Sequence, residues 1–202
     1  MSRFYLALLV ATLALWPWTL AGAQTPTAVN APLYTDKGEL MPPPHYREWV
    51  YLSTGMNMSY IKRFEDKSHD MFSNVFVNPE AYREFLRSGT WPDKTILVLE
   101  VRGATNKGSI NKLGFYQNGE IMGLEVHVKD AARFQGGWAF FGDSDGKPAQ
   151  QVPYTADCYA CHKDHAAVDT TFVQFYPTLL EVAQKKGTLS RAYAAEQAKQ
   201  SP

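Results

Sequence analysis

Thr95-Ile96-Leu97-Val98-Leu99-Glu100-Val101-Arg102 is the stretch that decides the fold. Alternation places Leu97, Leu99 and Val101 on one face and Ile96 and Val98 on the other, before Glu100 and Arg102. Both faces are apolar, so the run reads as a central strand covered on two sides. Downstream, Leu113 to Tyr116 and Glu120 to Lys129 flank Asn118-Gly119, the pair that favours a two-residue type I′ hairpin. The second arm alternates Met122, Leu124, Val126 and Val128 against Glu125 and His127, and Gly137-Trp138-Ala139-Phe140-Phe141 adds an aromatic strand. An antiparallel sheet follows. Upstream, Met71 to Asn78 reads as another strand. Asn78-Pro79-Glu80 then supplies an N-cap, a proline at the first helical position and an early acid, and Gly89 supplies the stop, which predicts a helix from Pro79 to about Ser88. His45 to Leu52 spaces Tyr46, Trp49 and Val50 for one or two helical turns on a core, whereas Ser53 to Ser59 reads as a loop or strand start. Thr155 to Lys186 reads as largely helical, interrupted near Pro177 and closed by Gly187; Gly142 to Lys147 reads as a loop. The expected class is α+β, an antiparallel sheet packed with a few helices.

The 202 residues carry 20 Lys+Arg against 20 Asp+Glu, so no basic excess points to nucleic acid. Hydrophobic residues at 45% suffice to bury a core, and one globular domain is the expectation from size. Met1 to Ala23 has one basic residue, Arg3, an apolar run and the small-residue end Ala21-Gly22-Ala23. That is the pattern of a secretory signal peptide cleaved before Gln24; a retained membrane anchor is the alternative. Residues 24–44, ending Pro42-Pro43-Pro44, read as an extended Pro-rich leader, residues 45–188 as the folded domain and residues 189–202 as a frayed polar tail. The implied location is the periplasm.

Only two cysteines are present, Cys158 and Cys161, which excludes a multi-disulfide scaffold and a four-cysteine zinc site. Cys158-Tyr159-Ala160-Cys161-His162 is the pattern for covalent haem attachment. Two thiols three positions apart add to the two vinyl groups, and the adjoining histidine reaches the iron from the same turn. The motif falls on the C-terminal helical stretch. A disulfide, a zinc half-site completed by His165 and a thioredoxin-like redox pair are the competing readings. Zinc lacks a second cysteine pair, and the redox reading lacks a βαβ pattern and leaves His162 unexplained. One covalently attached haem c, with His162 as the proximal iron ligand, accounts for all three residues. Function then turns on the opposite iron face: a sixth protein ligand makes an electron carrier, an empty apolar position a gas binder, and an empty position with proton-handling groups an enzyme. No methionine follows Met122, so a methionine ligand must come from upstream, with Met56, Met58, Met71 and Met122 as candidates.

Several short motifs run in order over residues 33 to 186. They are Tyr46 to Trp49, Val77 to Tyr82, Gly123-Leu124-Glu125, Val128-Lys129-Asp130, Arg133-Phe134, Gly137 to Phe140, Cys158 to Lys163 and Phe175-Tyr176-Pro177. With them the chain resembles the cytochrome P-460 and cytochrome c-prime-beta family. The resemblance implies an antiparallel sheet with a few helices, a c-type haem near the sheet, and a homodimer. Members that oxidise hydroxylamine carry a lysine cross-linked to the haem. Matching Asp93, Thr95 and Glu100 to the family pattern puts that lysine at Leu99, which has no amine. Lys62, Lys67 and Lys94 are displaced alternatives. The chain is therefore closer to the c-prime-beta branch, whose haem is not cross-linked and whose distal side is apolar and capped by aromatic residues. Leu99 is expected to line the haem.

The family cap is a phenylalanine near the start of the strand at Met71 to Val77. Alternation sets Met71, Ser73, Val75 and Val77 on one face and Phe72, Asn74 and Phe76 on the other. If the first face meets the haem, Met71 is either an apolar cap or the iron's sixth ligand; otherwise Met71 is core and Phe72 or Phe76 is the cap. Met58 is the second ligand candidate. His165 is tied to the proximal side and expected at the surface, His127 is expected to face solvent, and His45 and His69 are weak distal candidates. Asp143 and Asp145 are either a proton relay or turn formers. The expected partners are a small gaseous or nitrogen-oxide ligand and a redox partner protein. Nitric oxide binding or electron transfer comes first, and hydroxylamine oxidation is the alternative.

Overall fold

The computed structural model describes residues 30–60, 70–142 and 146–200. The expected signal segment, Lys62, Lys67, His69, Asp143 and Asp145 lie outside the described residues. Five antiparallel strands form one sheet in chain order: β1 (Val50–Met56), β2 (Met71–Val77), β3 (Ile96–Thr105), β4 (Tyr116–Lys129) and β5 (Trp138–Phe141). Among the described residues four α-helices accompany them: α1 (Pro79–Ser88) between β2 and β3, then α2 (Asp157–His165), α3 (Pro177–Lys186) and α4 (Arg191–Gln200) after the sheet. The protein is α+β. Among the described residues no helix is long and apolar enough to cross a membrane.

β3 is the middle strand, as its two apolar faces require, and Ile96, Leu97 and Val98 are all buried. On one face Leu97, Val77 and Trp138 join Phe85 of α1, Leu179 and Ala183 of α3, and Tyr193 of α4. On the other Ile96, Val98, Val126, Val128 and Phe141 pack beneath Tyr46, Trp49 and Leu40. Each fully buried aliphatic or aromatic side chain contributes about 1.5–3 kcal/mol, so covering both faces is the main source of stability here.

Several sequence expectations shift. Asn118-Gly119 does not close a hairpin, because Tyr116–Lys129 is one continuous strand. The register runs Arg102↔Ile121 and then Ala104↔Gln117, so β4 carries extra residues there. A type I′ turn needs positive φ at both central residues; instead Asn118 Oδ1 accepts from the Glu120 amide and the pair forms a bulge. The β3–β4 connection lies before Tyr116, where Ser109 (φ 45°) and Gly114 (φ 84°) supply left-handed turns. Asn78 does not cap α1 with its side chain. Its Oδ1 accepts from the Ile96 amide and its Nδ2 donates to the Lys94 carbonyl, tying the helix entry to β3. Pro79 opens the helix and Gly89, at φ 78°, closes it.

The expected leader does not stay outside the fold. Leu40 pairs with Ala149 and is 1% exposed, so the chain joins the core before His45. The helical turns expected around Tyr46 shrink to a short 3-10 turn, Tyr46–Glu48, and Val50 already begins β1. The expected frayed tail is α4, held by buried Tyr193 and by Ser190, whose hydroxyl donates to the Ala166 carbonyl.

Candidate haem site

Cys158, Cys161 and His162 lie on α2, whose sequence Asp157–His165 has an acid in its first turn and basic residues in its last, matching the helix dipole. Both thiols are free and half-buried. Burial pushes both thiol pKa values up, the opposite of what a thioredoxin-like nucleophile needs. Among the described residues no group of three His, Cys, Asp or Glu side chains could hold a metal ion, which leaves the zinc half-site incomplete. His165 faces outward, with Nδ1 3.3 Å from a Glu196 carboxylate oxygen.

The His162 ring is fixed on one side. Its Nδ1 lies 2.7 Å from the Thr170 carbonyl oxygen. A carbonyl only accepts, so Nδ1 carries the proton and Nε2 keeps its lone pair. Burial lowers the His162 pKa, against the opposing pull of the Thr170 bond, so the ring stays neutral as iron ligation requires. Phe172, Phe140 and His127 surround it, with ring centroids 4.1, 4.6 and 5.4 Å away.

His127 corrects a sequence expectation: it is 8% exposed and stacks on Phe140 at 3.9 Å instead of facing solvent. Directly opposed residues of an antiparallel pair share a face, so the register extends the site along the sheet. His127 stands opposite Leu97 and Phe140. The next row holds Glu125, Leu99, Val75 and Ser53; the one beyond holds Gly123, Val101, Ser73 and Gly55; Met71 and Gly103 come last. The helices bury Leu97, but Leu99, Val101 and Val75 on the same face are only half-buried. An apolar cradle thus continues from the His162 ring along the sheet.

Both methionine candidates are on this face but in its far rows. At about 3.3 Å per residue, the Met71 row is some 20 Å from the His127 row. Met58 folds onto β1, its sulfur lying where a Cβ of Gly55 would be, in a row about 13 Å away. Leu99 and Glu125 stand one row, about 7 Å, from His127. Phe72 and Phe76 point to the opposite face, where Phe76 packs on Tyr46 and Tyr51, so neither supplies the cap. Lys94 is held by Asp130 at 2.5 Å, and His45 by Glu48 at 3.4 Å.

Glu125 is the titratable group that the sequence motifs contained without identifying its role. Glu125 is exposed on the open side of the cradle, and the partial desolvation it meets there raises its carboxyl pKa. Its charge is felt at Cys158 and at Tyr60, whose ring packs on Phe172 and Phe175. Thr170 and Phe172 have no signal of their own in the sequence, and Phe140 is marked there only as part of an aromatic strand. The sequence shows the shared alternation of Glu125 and His127, but not that α2 covers the His127 end of that face.

Paired thiols, a neutral imidazole with a free Nε2 and an uncovered apolar cradle define a β-rich protein able to hold a c-type haem. A family model described as Cytochrome P460 matches residues 43–173, well over half of the chain, and the chain belongs to that family. Its members are c-type haem proteins that act on nitrogen compounds, so the cofactor is haem and the ligand a small nitrogen compound. No curated protein matches the chain.

Proposed function

We propose that this is an exported, periplasmic monohaem cytochrome of the c-prime-beta type. It binds nitric oxide or a related small nitrogen-oxide ligand and exchanges electrons with a redox partner protein. Cys158 and Cys161 hold the porphyrin by thioether bonds, His162 Nε2 binds the iron, and the protein works as a homodimer. The haem supplies the iron coordination and the electron; the chain supplies position and environment. One observation carries the reading: the row next to the His162 site presents Leu99 and Val75 between Ser53 and Glu125, with neither an amine nor a thioether in it. The two aliphatic side chains favour neutral diatomics, because they offer no donor to stabilise bound dioxygen. The test is ligand titration of the reduced holoprotein. Nitric oxide should bind readily and dioxygen far more weakly; equal binding of both would contradict an apolar wall.

Hydroxylamine oxidation stays as a second reading because Glu125 favours it. That reaction needs an open iron and a proton acceptor, and a carboxyl with a raised pKa in the row of Leu99 could serve. In this reading Glu125→Gln abolishes hydroxylamine turnover while leaving nitric oxide binding intact. A haem peptide carrying no second peptide fits the gas-binding reading, whereas one attached through a lysine supports the enzyme.

A further inference from the structure

The acceptor of the proximal histidine is a backbone carbonyl in a four-residue turn, and that turn is pinned at three successive side chains. Val168 and Thr171 close it through paired backbone bonds of 2.9 and 3.4 Å. Asp169 sits inside at φ 52°, a left-handed conformation that costs energy for any residue but glycine. Lys129 of β4 donates to the Asp169 carboxylate at 3.0 Å and to the Trp91 carbonyl at 2.7 Å. Two residues earlier on the same strand face, His127 Nε2 lies 3.3 Å from the Thr170 hydroxyl. Trp91 Nε1 donates to the Thr171 hydroxyl at 2.7 Å.

A short chain from the sheet to the iron ligand results: His127 to the Thr170 hydroxyl, then the Thr170 carbonyl to His162 Nδ1. We infer that His127 and Thr170 form a proximal clamp, positioning residues that fix the strength of the His162 hydrogen bond and thereby the basicity of the iron ligand. This rests on His162 being that ligand, as proposed above. A hydrogen bond at Nδ1 sets ring orientation and raises the donor strength of Nε2, and outer partners of this kind commonly change metal-site properties tenfold or more. The His127 ring also stacks on Phe140, which itself touches His162, so a variant must keep the aromatic surface to isolate the hydrogen bond.

The test uses holoprotein with His127→Phe, Thr170→Val, the double variant and Thr170→Ser. Two quantities are read: hydrogen exchange of the iron-shifted histidine ring N–H by proton NMR, and the midpoint potential. Either single change should speed exchange by roughly tenfold and raise the potential, because a weaker Nδ1 bond leaves a less basic ligand. The double variant should match the singles, since all remove the same bond. Thr170→Ser, which keeps the hydroxyl and leaves the His127 ring in place, should keep both readings close to wild type. Melting curves separate a general loss of packing from these effects. Unchanged exchange and potential in folded variants overturn the clamp. A wild-type spectrum with no iron-shifted ring N–H from His162 overturns the ligand assignment instead.

Discussion

Leu99→Lys puts an amine at the position where the cross-linking members of the family carry theirs, and the structure states what it should do to the protein. Leu99 is half-buried, so its removal forfeits about 1 kcal/mol, half of what a fully buried leucine contributes. A lysine stem covers part of the same surface while the ammonium reaches outward. Glu125 stands directly across the strand pair, and an opposite-charge pair there returns about 0.2–1 kcal/mol. The net change at neutral pH is therefore within about 1 kcal/mol of zero. The pH dependence is more diagnostic. Because burial raises the Glu125 carboxyl, the folded state holds more protons than the unfolded one between the unfolded value, about 4.3, and the higher folded value. Its contribution is thus greatest at low pH and is lost as pH rises through the folded pKa. An ammonium at position 99 favours the carboxylate and removes that loss. Urea denaturation of wild type and variant from pH 4 to 8 should show the variant gaining relative stability as pH rises. A difference that stays flat with pH, or a penalty above about 3 kcal/mol, would refute the shared row of Leu99 and Glu125.

Tyr46→Phe removes a hydroxyl that donates to the buried Glu100 carboxylate, also paired with Arg47 and Arg102, and should cost about 1.5–3 kcal/mol in urea denaturation. Burial alone would raise Glu100, but bonds from Arg102, Tyr46 and Arg47 outweigh it and lower the pKa. Its contribution is therefore present above the unfolded value and lost as pH falls through the folded one, and Tyr46→Phe should move that acid loss to higher pH. Deleting residues 189–202 strips buried Tyr193 and the Ser190 bond to Ala166, for a predicted loss of about 2–4 kcal/mol; an unchanged Tm would mean that α4 does not pack. Gly55→Ala displaces the Met58 side chain, and the optical spectrum of the holoprotein should not change. A spectral change there would make Met58 an iron ligand.

The architecture was legible where one residue pattern had one physical solution. Thr95 to Arg102 is apolar on both sides and became the middle strand, and Asn78-Pro79 with Gly89 bounded α1 within a residue. Asn118-Gly119 misled because the pair permits a type I′ turn without requiring one, and long pairing between β3 and β4 absorbed it as a bulge. The leader and tail misled through composition: a few apolar residues, Leu40 and Tyr193, dock segments that are otherwise polar or Pro-rich. At the site, the cysteines and His162 declared themselves by local spacing. The surrounding residues did not, because strand register brings them together. Glu125 and His127 alternate with an apolar face as solvent-facing residues do, and only the position of α2 turns that polar side into the cradle.

The most direct test of the central claim is the optical spectrum of the purified holoprotein, oxidised and reduced, before and after nitric oxide. The account predicts a high-spin, five-coordinate haem in both states that shifts on adding the gas. A low-spin spectrum that resists the gas would mean that a side chain such as Met58 or Met71 holds the sixth position, contradicting an open apolar face beside Leu99.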